Sequence, residues 1–326
     1  MRVLVTGGAG YIGSHTVRVL RDRGDQVVVL DSLEHGHRAA VGDTPLVVGD
    51  VRDQPLVRRV VADHQIEAAI HFAAHKAAGE SMAQPGRYFD NNVAGTLHLL
   101  EALRAAGVRR FVFSSTAAVY GTPRALPIRE TEEPRPENPY GESKLMVEQM
   151  LRWYDTGHQM RSVALRYFNA AGATPDGSNG EDPRAVQNLI PLVMNVATRR
   201  RPKLQVFGTD YPTPDGTAIR DYIHVLDLAE AHARALDFLA AHDRSDLFNL
   251  GTGKGASVTE VLTAARRITG VEIPAELVAR RPGDPAVVYA DSSKARAALG
   301  WQARYGLDDI IAHAWKWHST HPDGFA

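Results

Sequence analysis

The first half of the chain alternates short, nearly unbroken apolar runs with stretches of helical period. Val3-Leu-Val5, Val27-Val-Val-Leu30, Leu46-Val-Val48, Ala68-Ala-Ile70, Phe111-Val-Phe113 and Val163-Ala-Leu165 carry almost no polar interruption. Runs of that kind suit strands covered on both faces, as in a parallel sheet. Between them, Ile12–Arg23, Gln54–His64, Asn91–Ala106 and Tyr140–Trp153 read as helices. The alternation predicts an α/β fold, a doubly wound parallel sheet. After Phe168 the texture changes. Asn169–Arg184 and Gly208–Thr217 are rich in Gly, Pro, Asp and Asn and read as loops. Helical patterns return at Asp227–Leu239, Val258–Thr269 and Leu307–Trp317, with short strands near Leu204–Phe207 and Phe248–Leu250. The expected division is a sheet domain over residues 1–168 and a smaller substrate lobe over 169–326, with segments of the second returning to the first.

Composition narrows the functional classes. Hydrophobic residues make up 44% of the 326, enough for a full core. Lys+Arg is 37 against Asp+Glu 38, so nothing favours nucleic acid or an anionic membrane as partner. The one basic cluster, Arg199-Arg-Arg-Pro-Lys203, reads as a solvated helix end. Cysteine is absent, which excludes disulfides, thiolate metal sites and cysteine nucleophiles. No run approaches the roughly 18 apolar residues of a membrane span. A strand starting at Arg2 leaves no room for a signal peptide, so a cytoplasmic location is expected.

Two motifs carry chemistry. In Gly7-Gly-Ala-Gly10-Tyr11-Ile12-Gly13 a predicted strand turns into a predicted helix. Gly7 permits the tight turn, Gly10 lets backbone approach a phosphate, and Gly13 lets helix and strand pack closely. The helix N-terminus offers unpaired N–H groups to a pyrophosphate. Asp31 ends the second apolar run, where a carboxylate can bond both hydroxyls of an adenine ribose and repel a 2′-phosphate. NAD is therefore the expected cofactor. The second motif is Tyr140-Gly-Glu-Ser-Lys144. At i and i+4 the phenol and the ammonium share a helix face, and a close ammonium favours the phenolate. Of the hydroxyls that end the Phe111 run, Thr116 is the candidate to polarise a reacting oxygen, with Ser114 and Ser115 structural.

These residues, in this order, resemble the extended short-chain dehydrogenase/reductase family, and within it the UDP-glucose 4-epimerase branch. The resemblance runs almost end to end and includes His71-Phe-Ala-Ala-His-Lys-Ala-Ala-Gly-Glu-Ser81 and Asp90-Asn-Asn-Val-Ala-Gly-Thr96. Leu165-Arg-Tyr-Phe-Asn-Ala-Ala-Gly172, Thr209–Thr217 and Arg220-Asp-Tyr-Ile-His-Val225 point to that branch most specifically. It implies a Rossmann-like NAD domain with cofactor contacts from Tyr11, Ile12, Asp31, Asp50, Val51, Phe72, Ala73, Lys76, Asn91, Lys144 and Phe168. For a UDP-sugar it implies Asn169, Asn188, Arg220, Arg281 and Asp284 beside Thr116 and Tyr140. It also implies a homodimer, with Asn91–Ala106 and Tyr140–Trp153 as contact helices. Thr116 stands where many members carry serine. His75 stands where a small or apolar residue is common, and no role follows for it.

The implied reaction interconverts UDP-galactose and UDP-glucose by oxidation and re-reduction at the sugar C4. Val288 matches a position resembling a size gate for the 2-acyl group. Valine leaves space, so turnover of UDP-N-acetylhexosamines is expected as well. Another NAD-dependent nucleotide-sugar epimerase is one rival reading. A 4,6-dehydratase is a second, but Ala117-Ala118 replaces the Asp-Glu pair such enzymes carry after the threonine. A non-catalytic NAD sensor is the rival of another class, and such proteins often lose the tyrosine or lysine. No metal is expected, because His35-Gly-His37 lacks acidic partners at ligand spacing.

Overall fold

The computed structural model describes residues 1–281 and 284–325. Seven parallel strands form the central sheet. Six are the expected ones: β1 (Arg2–Thr6), β2 (Gln26–Asp31), β3 (Leu46–Val48), β4 (Ala68–His71), β5 (Arg110–Ser114) and β6 (Arg161–Tyr167). The seventh, Asp246–Leu250, pairs with β6 from Val163 to Tyr167. Its sequence suggests only a short strand of the later half. Tertiary pairing places it in the main sheet instead, and Val225–His242 packs there too, against helix α1 (Tyr11–Asp22).

The unbroken apolar runs have a direct cause. Val3, Val5, Val27 and Val29 point to one face, where they meet Val17 and Leu20 of α1 with Leu228 and Leu236. Leu4, Val28, Leu30 and Phe111 point to the other, against Val57, Leu99, Val147 and Leu151. Both faces are covered, so both parities must be apolar. The spatial order is Asp246–Leu250, β6, β5, β4, β1, β2, β3. The chain reverses its direction of growth between β1 and β4, and such a switch point opens a crevice beyond the strands' carboxyl ends.

A third apolar core, with Ile190, Val193, Val206, Val261, Ile310 and Ile311, holds the remaining elements together. Its helix Leu189–Ala197 has no counterpart in the sequence-based expectations. The segment is short, almost wholly apolar and carries Pro191 at its third position, so it does not read as a helix from local pattern. The expected helix from Asn91 begins instead as a π-helical turn, Phe89–Ala94, before Gly95–Ala105. Among the described residues, no helix is long and apolar enough to cross a membrane.

Candidate active site

The glycine turn sits at the switch point. Gly7 has φ +70°, and a Cβ there would stand 2.4 Å from Ala73 N. A Cβ on Gly13 would lie 2.2 Å from Gly7 O, so only glycine lets α1 approach β1 this closely. Gly10 differs: a Cβ there would meet only Gly7 O, at 3.3 Å. Its face is open, Gly10 caps α1 without a side-chain bond, and the first turn holds no acidic residue. Tyr11 and Ile12, in that turn, therefore present N–H groups and a positive helix end to an anion. Asp31 is buried and held in place by the N–H groups of Ala9 (2.9 Å, to Oδ2) and Leu33 (2.8 Å, to Oδ1). A carboxylate so placed keeps lone pairs for a ribose diol. The cradle fits a dinucleotide.

Around it, Phe72 and Ala73 donate their N–H groups to Thr6 O, which fixes the loop after β4 over the turn. Val51 is buried beside Asp50, and Arg52 bridges Asp50 (2.7 Å) and Asp90 (2.6 Å). That guanidinium holds the Asp50 carboxyl below its usual range. Asn91, inside the π-helical turn, donates to Asn92 Oδ1. Phe168 packs on the Val119–Tyr120 cluster together with Val288.

Tyr140 lies in the first turn of Pro139–His158, whose N-cap Asn138 accepts from Gly141 N–H at 2.9 Å. Thr116 caps the short 3-10 turn Ala117–Tyr120, its Oγ1 accepting from Ala118 N–H and its own proton left to donate. Lys144 is buried and donates to Ser114 O at 2.9 Å. Burial lowers its pKa to about 7, partly opposed by Glu148. The Lys144 ammonium is turned to Ser114 O, and other groups act on the phenol. Burial raises the Tyr140 pKa, and the groups that pull it back are the Thr116 hydroxyl and the charge of Lys76. Lys76 in turn donates to Glu181 (2.9 Å), whose carboxylate raises the lysine's own pKa. Ser114 and Ser115 bond Tyr167 and Glu148, respectively.

A second group of candidates gathers on the lobe. Val288 is the strand partner of Arg220, and Arg220 donates to Asp284 Oδ1 at 2.8 Å. The Arg281 guanidinium covers the face of Phe207 at 3.9 Å. Asn169 is tied to the same strand through Asp221 O. Asn188 stands apart, exposed at the N-cap of Leu189–Ala197 with no side-chain bond among the described residues. His35 and His37 do have carboxylate neighbours: Glu34 at 3.6 Å, and Asp182, brought from far along the chain, at 2.7 Å.

Residues 3–251 match the model of the NAD dependent epimerase/dehydratase family. The chain belongs to that family. Among its relatives, a UDP-glucose 4-epimerase of Lacticaseibacillus casei is 50% identical over 327 aligned positions, covering 100% of this chain and 99% of the other. The Stenotrophomonas maltophila UDP-glucose-4-epimerase, solved with NAD and formylated UDP-arabinopyranose, superposes with a TM-score of 0.96 at 45% identity, covering 99% of both chains. The Bifidobacterium longum enzyme, solved with NAD+ and UDP, gives 0.93 at 44% identity over the full length of both.

Sequence reasoning missed several residues that this epimerase fold brings to the site. Asn92 clamps the loop after β4 to the helix Pro139–His158, accepting from His75 N–H and donating to His75 O and Ser143 Oγ. Asp221 is fully buried and gathers Thr252 and Ala290 behind Arg220. Phe207 and Glu181 carried no local signal, since their partners lie far away in sequence.

Proposed function

We propose that this chain interconverts UDP-galactose and UDP-glucose, with Tyr140, Thr116 and Lys144 as the reacting and positioning groups. The observation that carries the reading is an anion cradle at the switch point together with a half-buried phenol, Tyr140, on which the Thr116 hydroxyl acts. Full-length identity of 50% to a UDP-glucose 4-epimerase supports the substrate.

Bound NAD supplies a reversible hydride acceptor for C4 of the sugar. Gly7, Gly10, Tyr11, Ile12 and Gly13 hold its pyrophosphate, Asp31 its adenine ribose, and Asp50, Val51, Phe72, Ala73, Asn91 and Phe168 its remaining faces. Lys144 offers its ammonium to the second ribose. Thr116 holds the 4-oxygen by its free hydroxyl proton. Tyr140 takes the 4-hydroxyl proton and later returns it, with the Thr116 hydroxyl and the charge of Lys76 opposing the burial that disfavours its phenolate. On the lobe, Arg220 and Arg281 bind the diphosphate through charge-assisted bonds. Phe207 offers uracil a stacking face once Arg281 turns to phosphate, while Asn169, Asn188 and Asp284 supply polar contacts. Binding energy then sits on UDP, so the sugar is free to present either face.

The half-buried Val288 leaves room beside C2, and turnover of UDP-N-acetylhexosamines belongs to the same proposal. So does a homodimer: Leu97, Met146 and Trp153 are exposed on Gly95–Ala105 and Pro139–His158, with Trp153 70% exposed. A cytoplasmic location is included because both ligands are charged nucleotides that do not cross membranes unaided.

The test is NMR of UDP-galactose incubated with purified protein and no added cofactor. A stable mixture with UDP-glucose is the expected result. No change, with NAD supplied as well, overturns the proposal.

A further inference from the structure

We propose that Glu34, His35 and His75 form a site for a divalent transition-metal ion of the zinc class, stapling the loop after β2 to the loop after β4. One ligand atom from each residue lies within 4.8 Å of the other two. A tetrahedral zinc with bonds of ~2.0–2.1 Å holds its ligand atoms ~3.3 Å apart, so the gap to close is ~1.5 Å. Glu34 and His35 are exposed and can turn to close it. His75 cannot turn freely, and it has no need to.

His75 is the second and independent observation. It is only 8% exposed, yet neither ring nitrogen has a hydrogen bond among the described residues. Its backbone is clamped on both sides by Asn92, which sets the ring's position. Neither ring nitrogen is among the fully enclosed, partnerless atoms of the described residues, so both stay open to an incoming ion. Neutral imidazole with one carboxylate is a donor set suited to zinc, and a fourth position stays open to water.

Arg87 faces the cluster and is the main opposing group. It donates to Glu34 Oε1 at 2.6 Å, and also to Glu80 Oε1 at 2.5 Å. Glu80 therefore keeps the guanidinium paired, and Oε2 of Glu34 remains for the ion. The two loops are the walls of the dinucleotide cradle: one starts at Asp31, and the other carries Phe72, Ala73 and Lys76. None of the three ligands contacts Tyr140, Thr116 or Lys144 by hydrogen bond, so the ion's effect is separable from the chemistry.

The experiment is zinc titration calorimetry with elemental analysis on untagged, chelator-treated full-length protein. The wild type is expected to bind one zinc per chain and to gain thermal stability on binding. His35→Ala and His75→Leu are each expected to weaken zinc at least tenfold and to abolish the shift in Tm, while His37→Ala leaves both unchanged. His35 is exposed, so its variant decides the matter even if His75→Leu fails to fold. No zinc on the wild type, or equal affinity in His35→Ala, overturns the proposal and leaves a plain Glu34–Arg87 ion pair.

Discussion

The two halves of the crevice are made of different material. On the cofactor side the shape is backbone: glycines that a single Cβ would block, a bare helix end and a loop hung on Thr6 O. On the proposed sugar-nucleotide side the shape is long charged side chains, already bonded to one another before any ligand arrives. Arg220 holds Asp284, and Arg281 rests on Phe207. A backbone site is rigid and costs nothing to reorganise. A side-chain site must break its own pairs to bind, which weakens binding but lets the substrate move and leave. An enzyme that keeps its cofactor and turns its substrate over benefits from this asymmetry.

That contrast can be broken at several points. Tyr140→Phe removes the proposed acid/base group between the halves, and turnover should fall about a thousandfold while UDP affinity stays, as measured by coupled assay and calorimetry. Gly13→Val drives a side chain into Gly7 O, and about 3 kcal/mol of overpacking should appear as a lower Tm and loss of co-purified NAD. Arg220→Ala should leave NAD content intact and raise KM for UDP-galactose by about 10- to 100-fold, the loss of one charge-assisted bond. If NAD content also fell, the two halves would not be independent.

How much of this was legible follows from the same contrast. The cradle could be read because its glycines are neighbours in sequence and each does a local job. The six strands could be read because burial on both faces leaves continuous apolar runs. The strand Asp246–Leu250 could be seen but not placed, since only pairing with β6 assigns it to the sheet. Phe207, Asp221 and Glu181 were silent, because each acts through partners that folding alone supplies. Tyr140-x-x-x-Lys144 was legible as a pair, but the groups around it were not: Ser114 O takes the ammonium, and Thr116 and Lys76 act on the phenol.

Two smaller effects sharpen the picture. The folded pKa of Lys144, about 7, lies below the ~10.4 of a free lysine. Between those values the unfolded chain holds the proton and the folded chain does not, so this group's contribution to stability rises with pH across that window. At and below about pH 7 the full cost of burying the ammonium is present. In cofactor-free protein, Lys144→Met should therefore be most advantageous in urea melts near pH 6, and its margin over wild type should shrink toward pH 9. A margin independent of pH would mean the lysine stays charged when folded. Finally, Val288→Tyr should cut turnover of UDP-N-acetylglucosamine by about tenfold or more and leave UDP-galactose nearly untouched. Equal losses on both would remove Val288 as a gate.

The seventh strand has a consequence for how the molecule is made. A ribosome delivers β6 long before it delivers Asp246–Leu250, and everything between them belongs to the other core or to the segments leading back. Until Leu250 emerges, the nascent sheet ends on β6 with its hydrogen-bonding edge bare, the kind of surface on which chains aggregate. The catalytic framework cannot be finished by the N-terminal portion alone. A chain cut short before residue 250 should be a client for chaperones rather than a small working domain.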